Sequence, residues 1–515
     1  MIVQRGMPVV IWGKADPGEV VMVKAKRDRK SNSYNAAEAY ATADSEGRWR
    51  IELPAMSEGS PYTLTINDEV IYDVTPGDVF LCSGQSNMEL PVRRVTDMFA
   101  DEIAAYENHD VREFAVPNDY EFHQPLDDVK PTSWKDVSPD NAMNFSALGY
   151  FFGKQLYEMT GVPVGIVRSC WGGTPIEAWI SEDGLIDFPR ALNEKRIYES
   201  DSYRDNIKKM EAENYWRWES VMDANDPGLN TGAKWYAGDY DDSTWTEVDL
   251  LSTGWGTDGL NPINGSHWFR KDFDIPSDLA GKPAMVRVGC IVDADSVYVN
   301  GVFVGNTTYQ YPPRKYNVPE GVLKEGKNNV TVRVISQNGT PHFVPEKPYK
   351  VIVEGNEVSL DGNWKYHLGT PMVHGPGMEF FYYKPVVLYN AMIHPLIQYP
   401  VSGVVWYQGE SNVDRRNEYA SLLQTMINDW RMAFDNAGLP FYVVELADFL
   451  SSDDISGRAA WAQMRQMQSD AVNGTGNAYL IRNSDLGEWN DIHPLDKKTL
   501  GKRVADAVYG NMIAQ

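Results

Sequence analysis

Residues 77–89, GDVFLCSGQSNME, decide how the chain is read. Val79-Phe80-Leu81-Cys82 is a continuous apolar run, the pattern of a strand covered on both faces, as in a parallel sheet. It passes directly into Ser83-Gly84-Gln85-Ser86-Asn87, small and polar residues that build no core. Such a stretch has two readings. Either it is a solvated turn, or it holds Ser86 at the carboxyl edge of a sheet, where nucleophiles are displayed.

The same plan recurs downstream. NFSALGYFFGKQLYEMTG (144–161) predicts a helix with Leu148, Phe151, Phe152, Leu156 and Met159 on one face, closed by Gly161. VPVGIVRSCWGGT (162–174) predicts a second buried strand, again ending in small residues. NEKRIYESDSYRDNIKKMEAENYWRWESVMDA (193–224) reads as one charged helix. After about residue 375 the α/β character resumes with VSGVVWYQGESN (401–412), the helix YASLLQTMINDWRMAF (419–434), the strand PFYVVEL (440–446) and the helix KKTLGKRVADAVYGNM (497–512). Strand, helix, strand with continuous apolar strands is the mark of a parallel α/β sheet.

Two other regions read as all-β. Residues 1–76 hold short alternating strands separated by Gly, Pro and Asp-Ser-Glu-Gly turns, enough for a small N-terminal sandwich. Between about 230 and 370, SHWFRKDFDIP, AMVRVGCIVDADSVYVNGVFVGNT and NNVTVRVIS alternate, and Asn300-Gly301 is a strong hairpin signal. The expected organisation is an N-terminal β-sandwich over 1–76, an α/β domain over 77–225 and 373–515, and an inserted β domain over 226–372.

Composition narrows the function. A chain of 515 residues exceeds one core, and length suggests roughly three domains. A net charge of −25 disfavours nucleic acid and anionic membranes, which would be repelled. A small anionic substrate stays open, since it needs only one local Arg. The 16 Trp and 28 Tyr suit sugar handling, because sugar rings stack on aromatic faces, although core packing claims the larger share. No stretch approaches the ~18 apolar residues of a membrane span. The opening MIVQRGMPVVIWG lacks a signal-peptide apolar region, so the expectation is a secreted or periplasmic protein whose signal lies outside this chain, with the cytoplasm as the alternative. Cys82, Cys170 and Cys290 cannot all pair within one chain, and two lie in apolar strand-like runs as small hydrophobes.

Three apolar strands thus end in small polar stretches: Ser83 to Asn87, Trp171 to Thr174, and Gln408-Gly409-Glu410-Ser411-Asn412. On parallel neighbours, all three lie along the sheet edge that binds ligands in open α/β sheets. Acyl transfer there needs a nucleophile, a base and donors for the oxyanion. Ser86 supplies the first. Gly172 and Gly173 allow a backbone N–H to approach a substrate oxygen, and Gln408 or Asn412 can add a side-chain amide. Of the eight histidines, His267, His342, His367 and His374 fall in or beside the inserted β region, His109 and His123 sit in polar loops, and His394 lies in an apolar run. His493 stands just before the last helix with Asp491 two residues earlier, placed to fix its tautomer. No His/Asp/Glu cluster has ligand spacing, so neither metal nor cofactor is called for.

Gly84-Gln85-Ser86-Asn87-Met88, Gly172-Gly173-Thr174, Trp406-Tyr407-Gln408-Gly409-Glu410-Ser411 and Asp491-Ile492-His493-Pro494 resemble the four signature blocks of the SGNH (GDSL-like) hydrolases. More narrowly, they resemble the sialate O-acetylesterases and related carbohydrate acetylesterases. The resemblance implies a flavodoxin-like α/β/α domain, no metal, and removal of O-acetyl groups from sugars. It implies Ser86 as nucleophile, His493 as base and Asp491 orienting it. It further implies an oxyanion hole of the Ser86 and Gly173 backbone N–H groups and the Gln408 amide. Two departures stand out. The superfamily places its acid three residues before the histidine, where this chain has Asn490, and it offers Asn where this chain has Gln408. The inserted region, through DDSTWTEVDL, WFRKDFDIP and DADSVYVNGVFVGN, resembles the jelly-roll (galactose-binding-like) domain of β-galactosidase-type glycoside hydrolases.

Gly172, Glu410, Trp171 and Arg168 are the further substrate-binding candidates. A sialic acid carboxylate asks for an Arg, and Arg93, Arg94 and Arg168 lie near enough in sequence. Acetylated xylan asks for none and favours exposed Trp such as Trp171 or Trp489. Three rivals remain: a non-catalytic glycan-binding protein, which predicts a lost nucleophile or base; a glycosidase, which needs two carboxylates about 5–10 Å apart; and a metal hydrolase, which lacks ligands.

Overall fold

The computed structural model describes residues 1–28, 36–252 and 263–514. Its contacts divide the chain into two compact units, Met1–Asp201 with Phe380–Gln515, and Ser202–Glu379.

The first unit is organised on one long strand, β1 (Glu69–Gly84). Its first five residues are exposed and the remaining eleven are buried, because its two halves serve different layers. The outer half pairs antiparallel with Tyr62–Ile66 and, at Thr75, parallel with Ile2–Gln4. The inner half is the centre of a parallel sheet. The boundary expected at 76/77 therefore falls inside a continuous strand, since nothing in Val74-Thr75-Pro76-Gly77 stops the ladder. The N-terminal layers gather Val21, Val23, Trp49, Ile51, Leu64 and Val74 into their own core.

Besides β1, the parallel sheet holds β2 (Asn108–Ala115), β3 (Val164–Cys170), β4 (Gly403–Tyr407), β5 (Phe441–Val444) and β6 (Ala478–Ile481). Spatial order is β6-β5-β4-β1-β3-β2, with Lys135–Val137 antiparallel at the edge. β3 lies on one side of β1 and β4 on the other, so the winding reverses at β1. Crevices at such reversals, beyond the carboxyl ends of the strands, are where open α/β sheets bind ligands. β1 and β4 are buried at every residue of their inner stretches, which explains the unbroken apolar runs in sequence.

Helix α1 (Ala147–Thr160) is capped by the Ser146 hydroxyl, which accepts from Gly149 N at 3.0 Å, and is closed by Gly161 at φ +66°. Its first two turns are buried all round, from Ala147 to Gly153, while Met159 is only half-buried. The tightness comes from the last helix, α2 (Lys497–Ala514): a Cβ on Gly501 would stand 2.7 Å from the Phe152 nitrogen, so the two backbones nearly touch. Each large apolar side chain buried there contributes about 1.5–3 kcal/mol.

The second unit carries a six-stranded sheet, ordered Thr246–Asp249, Asn363–Met372, Asn264–Ile275, Gly326–Ser336, Ala294–Val299, Val302–Thr307, and a four-stranded one. Phe269, Val297 and Val332 of the first sheet share one apolar core with Val286 and Val351 of the second. Asn300 (φ 50°) and Gly301 (φ 86°) make the expected tight hairpin.

The charged stretch at 193–224 is two helices, Pro189–Tyr198 and Asp201–Asn225, broken at Glu199-Ser200. The longer one belongs to the β unit. Trp218 donates to Val373 O, Thr370 to Met222 O, and Arg333 holds Asp223 and Asp226. By contacts the β unit runs over 202–379, where the sequence reading placed the insertion at 226–372.

Candidate active site

β1 ends at Gly84, with φ +136°. A Cβ there would lie 2.0 Å from Tyr407 O, so only glycine lets the ends of β1 and β4 come this close. Gln85 N then donates to Tyr407 O at 3.1 Å, and the chain turns into one helical turn, Ser86–Glu89, closed by Leu90 N on Ser86 O. Ser86 is thereby presented at the carboxyl edge, half-buried.

His493 comes from the loop between β6 and α2. Glu488 staples that loop: its backbone carbonyl accepts from Asp491 N, and its carboxylate accepts from Leu495 N at 2.9 Å. Pro494 disfavours helix at His493 and keeps the loop open there. The result is a 2.9 Å separation between His493 Nε2 and Ser86 Oγ, the reach a general base needs. Asp491 accepts the His493 backbone N–H at 2.9 Å, while its Oδ1 lies 3.7 Å from Nδ1. Its carboxylate lies beside the neutral ring, with its shorter contact to the backbone.

Burial, then the positive charges of Arg94 and Lys497, hold the His493 imidazole down at about 3, so it is a free base over the whole working range. Behind it lies a buried network. Asn87 Nδ2 donates to Glu410 Oε1 (2.6 Å) and to Ile492 O (2.9 Å), and Asn87 Oδ1 accepts from Lys497 Nζ at 2.8 Å. Burial pushes the Glu410 carboxyl up and the Lys497 ammonium down to about 7.

The Gly172-Gly173 loop closes the other side. A Cβ on Gly172 would lie 3.3 Å from the Ser86 Cβ, which places this backbone against Ser86. The Gly172 N–H is held by Glu89 Oε2 at 2.7 Å. Gly173 has φ +79°, and its carbonyl accepts from the Ser411 hydroxyl. Trp171 stacks face to face on Tyr382, centroids 4.0 Å apart and planes 6° apart, with Phe380 and Tyr383 adjoining. Trp489, on the His493 loop, is 40% exposed.

Residues 76–222 and 372–510 match the carbohydrate esterase family described as sialic acid-specific acetylesterase. This chain belongs to that family. The sialate O-acetylesterase of Mus musculus is 32% identical over 528 residues, 96% of this chain and 68% of that protein. The sialate O-acetylesterase of Pongo abelii is 33% identical over 194 residues, 34% of this chain and 36% of that protein, so the matched segment spans about a third of that relative's length. The crystal structure of a carbohydrate acetylesterase from Xanthomonas citri shares the fold at TM-score 0.56 and 23% identity, covering 99% of this chain and 73% of that one. Residues 232–340 separately match the beta-galactosidase second all-beta domain.

In this sialic acid-specific acetylesterase family member, Ser86, His493, Asp491, Gly172, Gly173 and Trp171 come together, while four expected residues serve elsewhere. Gln408 is fully buried, and its amide nitrogen faces three acceptors, Asn412 Oδ1 (2.8 Å), Thr174 O (3.1 Å) and Gln85 Oε1 (3.2 Å). It braces the Ser86 turn from behind and does not open onto a substrate. Asn412, likewise buried, holds Glu177 and Ile176 N. Arg168 lies within β3 with its Nε on the buried Glu113 at 3.1 Å, so its guanidinium is already neutralised. Glu410 faces Asn87 inside the network described above. Two residues gain weight. Lys497, 1% exposed, read in sequence only as part of a helix. Arg94 has Nε and Nη2 shielded from water with no acceptor among the described residues. The signal for Lys497 was present: a lysine in the first turn of a helix opposes the helix dipole.

Proposed function

We propose that this chain hydrolyses O-acetyl groups on carbohydrates, sialic acids foremost, through an acetyl-serine intermediate on Ser86. The observation that carries the reading is the 2.9 Å contact of Ser86 Oγ with His493 Nε2 at the point where the sheet reverses. With the edge strand β2 set aside, the order β3-β1-β4-β5-β6 ranks 2-1-3-4-5 in chain sequence, which supports the flavodoxin-like layering of SGNH hydrolases. The paired antiparallel sheets of the second unit support the jelly-roll reading.

Ser86 Oγ attacks the acetyl carbonyl carbon and its proton passes to His493 Nε2. The tetrahedral oxyanion accepts from the backbone N–H groups of Ser86 and Gly173; each such donor is worth about 2.7–4 kcal/mol in the transition state. The intermediate collapses as His493 returns the proton to the departing sugar oxygen. Water, deprotonated by His493, attacks the acetyl-serine, and acetate leaves as Ser86 recovers its proton. Asp491 favours the imidazolium formed in each half by charge alone at 3.7 Å. The stacked Trp171 and Tyr382 offer a wall for the sugar. The same reading sets the protein to work outside the cytoplasm, secreted or periplasmic, where polymeric glycans are met.

Acetate release from O-acetylated sialic acid and from acetylated xylan, measured side by side with Ser86→Ala, tests it. Release from sialic acid that disappears in the variant is the expected result. Release from xylan alone keeps the chemistry and changes the sugar. No acetate from either substrate overturns the proposal.

A further inference from the structure

The mechanism above uses neither Asn87 nor Lys497, yet both are almost wholly buried beside it. Asn87 follows the nucleophile in sequence, and Ile492, whose carbonyl it binds, precedes the base. One amide thus bridges the peptides next to Ser86 and His493. Its orientation is fixed by its neighbours. Lys497 Nζ needs an acceptor, whereas Glu410 Oε1 and Ile492 O need a donor, so reversing the amide would break all three bonds. Lys497 sits in the first turn of α2, where the helix dipole disfavours a cation, and is shut away from water, which disfavours it again. A residue placed against two local preferences is expected where function requires it.

We propose that Asn87 and Lys497 are positioning residues: Asn87 locks the His493 loop to the Ser86 turn, and Lys497, donating to Asn87 Oδ1 at 2.8 Å, fixes the amide in the orientation that makes the lock. Around Lys497 stand the carboxylates of Glu410, Asp491, Glu488 and Asp496, which favour its charge, and the Tyr407 ring, 5.1 Å from Nζ. Burial is the first cause of the free-base His493, with the charges of Arg94 and Lys497 adding to it.

This inference rests on Ser86 and His493 acting together as proposed, and its test is independent of any sugar. The rate of Ser86 phosphonylation by a fluorophosphonate is followed against pH for the unmodified chain, Lys497→Met, Lys497→Gln, Lys497→Arg and Asn87→Ala, with acetate release measured in parallel. In Asn87→Ala the plateau rate falls about tenfold or more, as the base loses its alignment. In Lys497→Met, which leaves the Asn87 oxygen without its donor, the plateau falls in the same direction, and Lys497→Gln and Lys497→Arg, each keeping an N–H for that oxygen, restore part of it. Lys497→Gln set against Asn87→Ala gives the answer if the Met variant does not fold. An Asn87→Ala plateau equal to the unmodified one, or a Lys497→Met plateau equal to that of the N–H-bearing variants, overturns the proposal. Phosphonylation that behaves as expected without acetate release from any sugar would refute the acetylesterase reading and leave this inference standing.

Discussion

Substituting Gly173 by alanine is the sharpest way to probe the proposed oxyanion side of the site. Two costs follow from the structure. The residue sits at φ +79°, and placing a side chain in that left-handed region costs about 1–2 kcal/mol. The new Cβ would also stand 1.9 Å from the Tyr383 hydroxyl and 2.7 Å from the ring carbon bearing it, so the backbone or the tyrosine must move by an ångström or more. A displacement of that size at a reacting centre costs on the order of 100-fold in rate, similar to losing one oxyanion donor. Gly173→Ala should therefore lower kcat/KM about 100-fold, mostly in kcat. Tyr383→Ala alone removes part of the aromatic wall and should act mainly on KM. The double variant separates the costs, because without the ring the clash vanishes and only the backbone term remains. A double-mutant cycle on acetate release should return a coupling of about 1–2 kcal/mol between the two positions. Unchanged kcat/KM in Gly173→Ala would refute the placement of this backbone in the reaction. Equal losses in the presence and absence of Tyr383 would refute the steric half of the argument.

Two further outcomes follow from buried charges. Arg168→Met should leave Glu113 without its cation and destabilise the fold by about 3–5 kcal/mol, read as a lowered midpoint in urea, with KM for sialic acid unchanged; a raised KM at full stability would restore Arg168 as a substrate residue. His493 is held at about 3 in the folded chain against 6.5 unfolded, so between those values the unfolded chain binds the extra proton and stability falls as pH falls. Unfolding free energy from urea titration should drop more steeply from pH 6.5 to 4 in the unmodified chain than in His493→Gln, on the way to about 5 kcal/mol across the full window down to about pH 3; parallel slopes would refute a buried neutral imidazole.

Much of this was legible in residue order, for physical reasons. Buried parallel strands must be apolar on both faces, so β1, β3 and β4 announced themselves, and Asn300-Gly301 is the dipeptide that tolerates two positive φ values. The pairing of Ser86 with His493, 407 residues apart, was legible because each closes a strand or opens a helix of the same sheet. What was not legible depended on partners far away in the chain. The Gln408 amide nitrogen is turned inward by Thr174, 234 residues distant, and by Gln85, 323 distant. Arg168 finds Glu113 on the adjacent strand, a pairing that no local pattern marks. The helix Asp201–Asn225 is polar enough to belong anywhere, and its assignment to the β unit comes from distant partners of residues such as Tyr215, Trp218, Met222 and Asp223. Lys497 is out of place in a helix's first turn, but nothing near it in sequence marks Asn87, 410 residues away, as the partner of its ammonium.

The sixteen residues of β1 have a consequence for how this protein was built and how it comes apart. A strand of that length spans roughly 50 Å, and its outer end is a rung of the N-terminal layers while its inner end aims the nucleophile. Recombination cannot exchange the first 76 residues as a cassette, because any junction there cuts a ladder that is paired on both sides. The same continuity ties the amides of two layers into one opening event. Slow hydrogen exchange at Val79 to Cys82 should therefore quicken when the N-terminal edge is loosened, and the reactivity of Ser86 should quicken or fade with it.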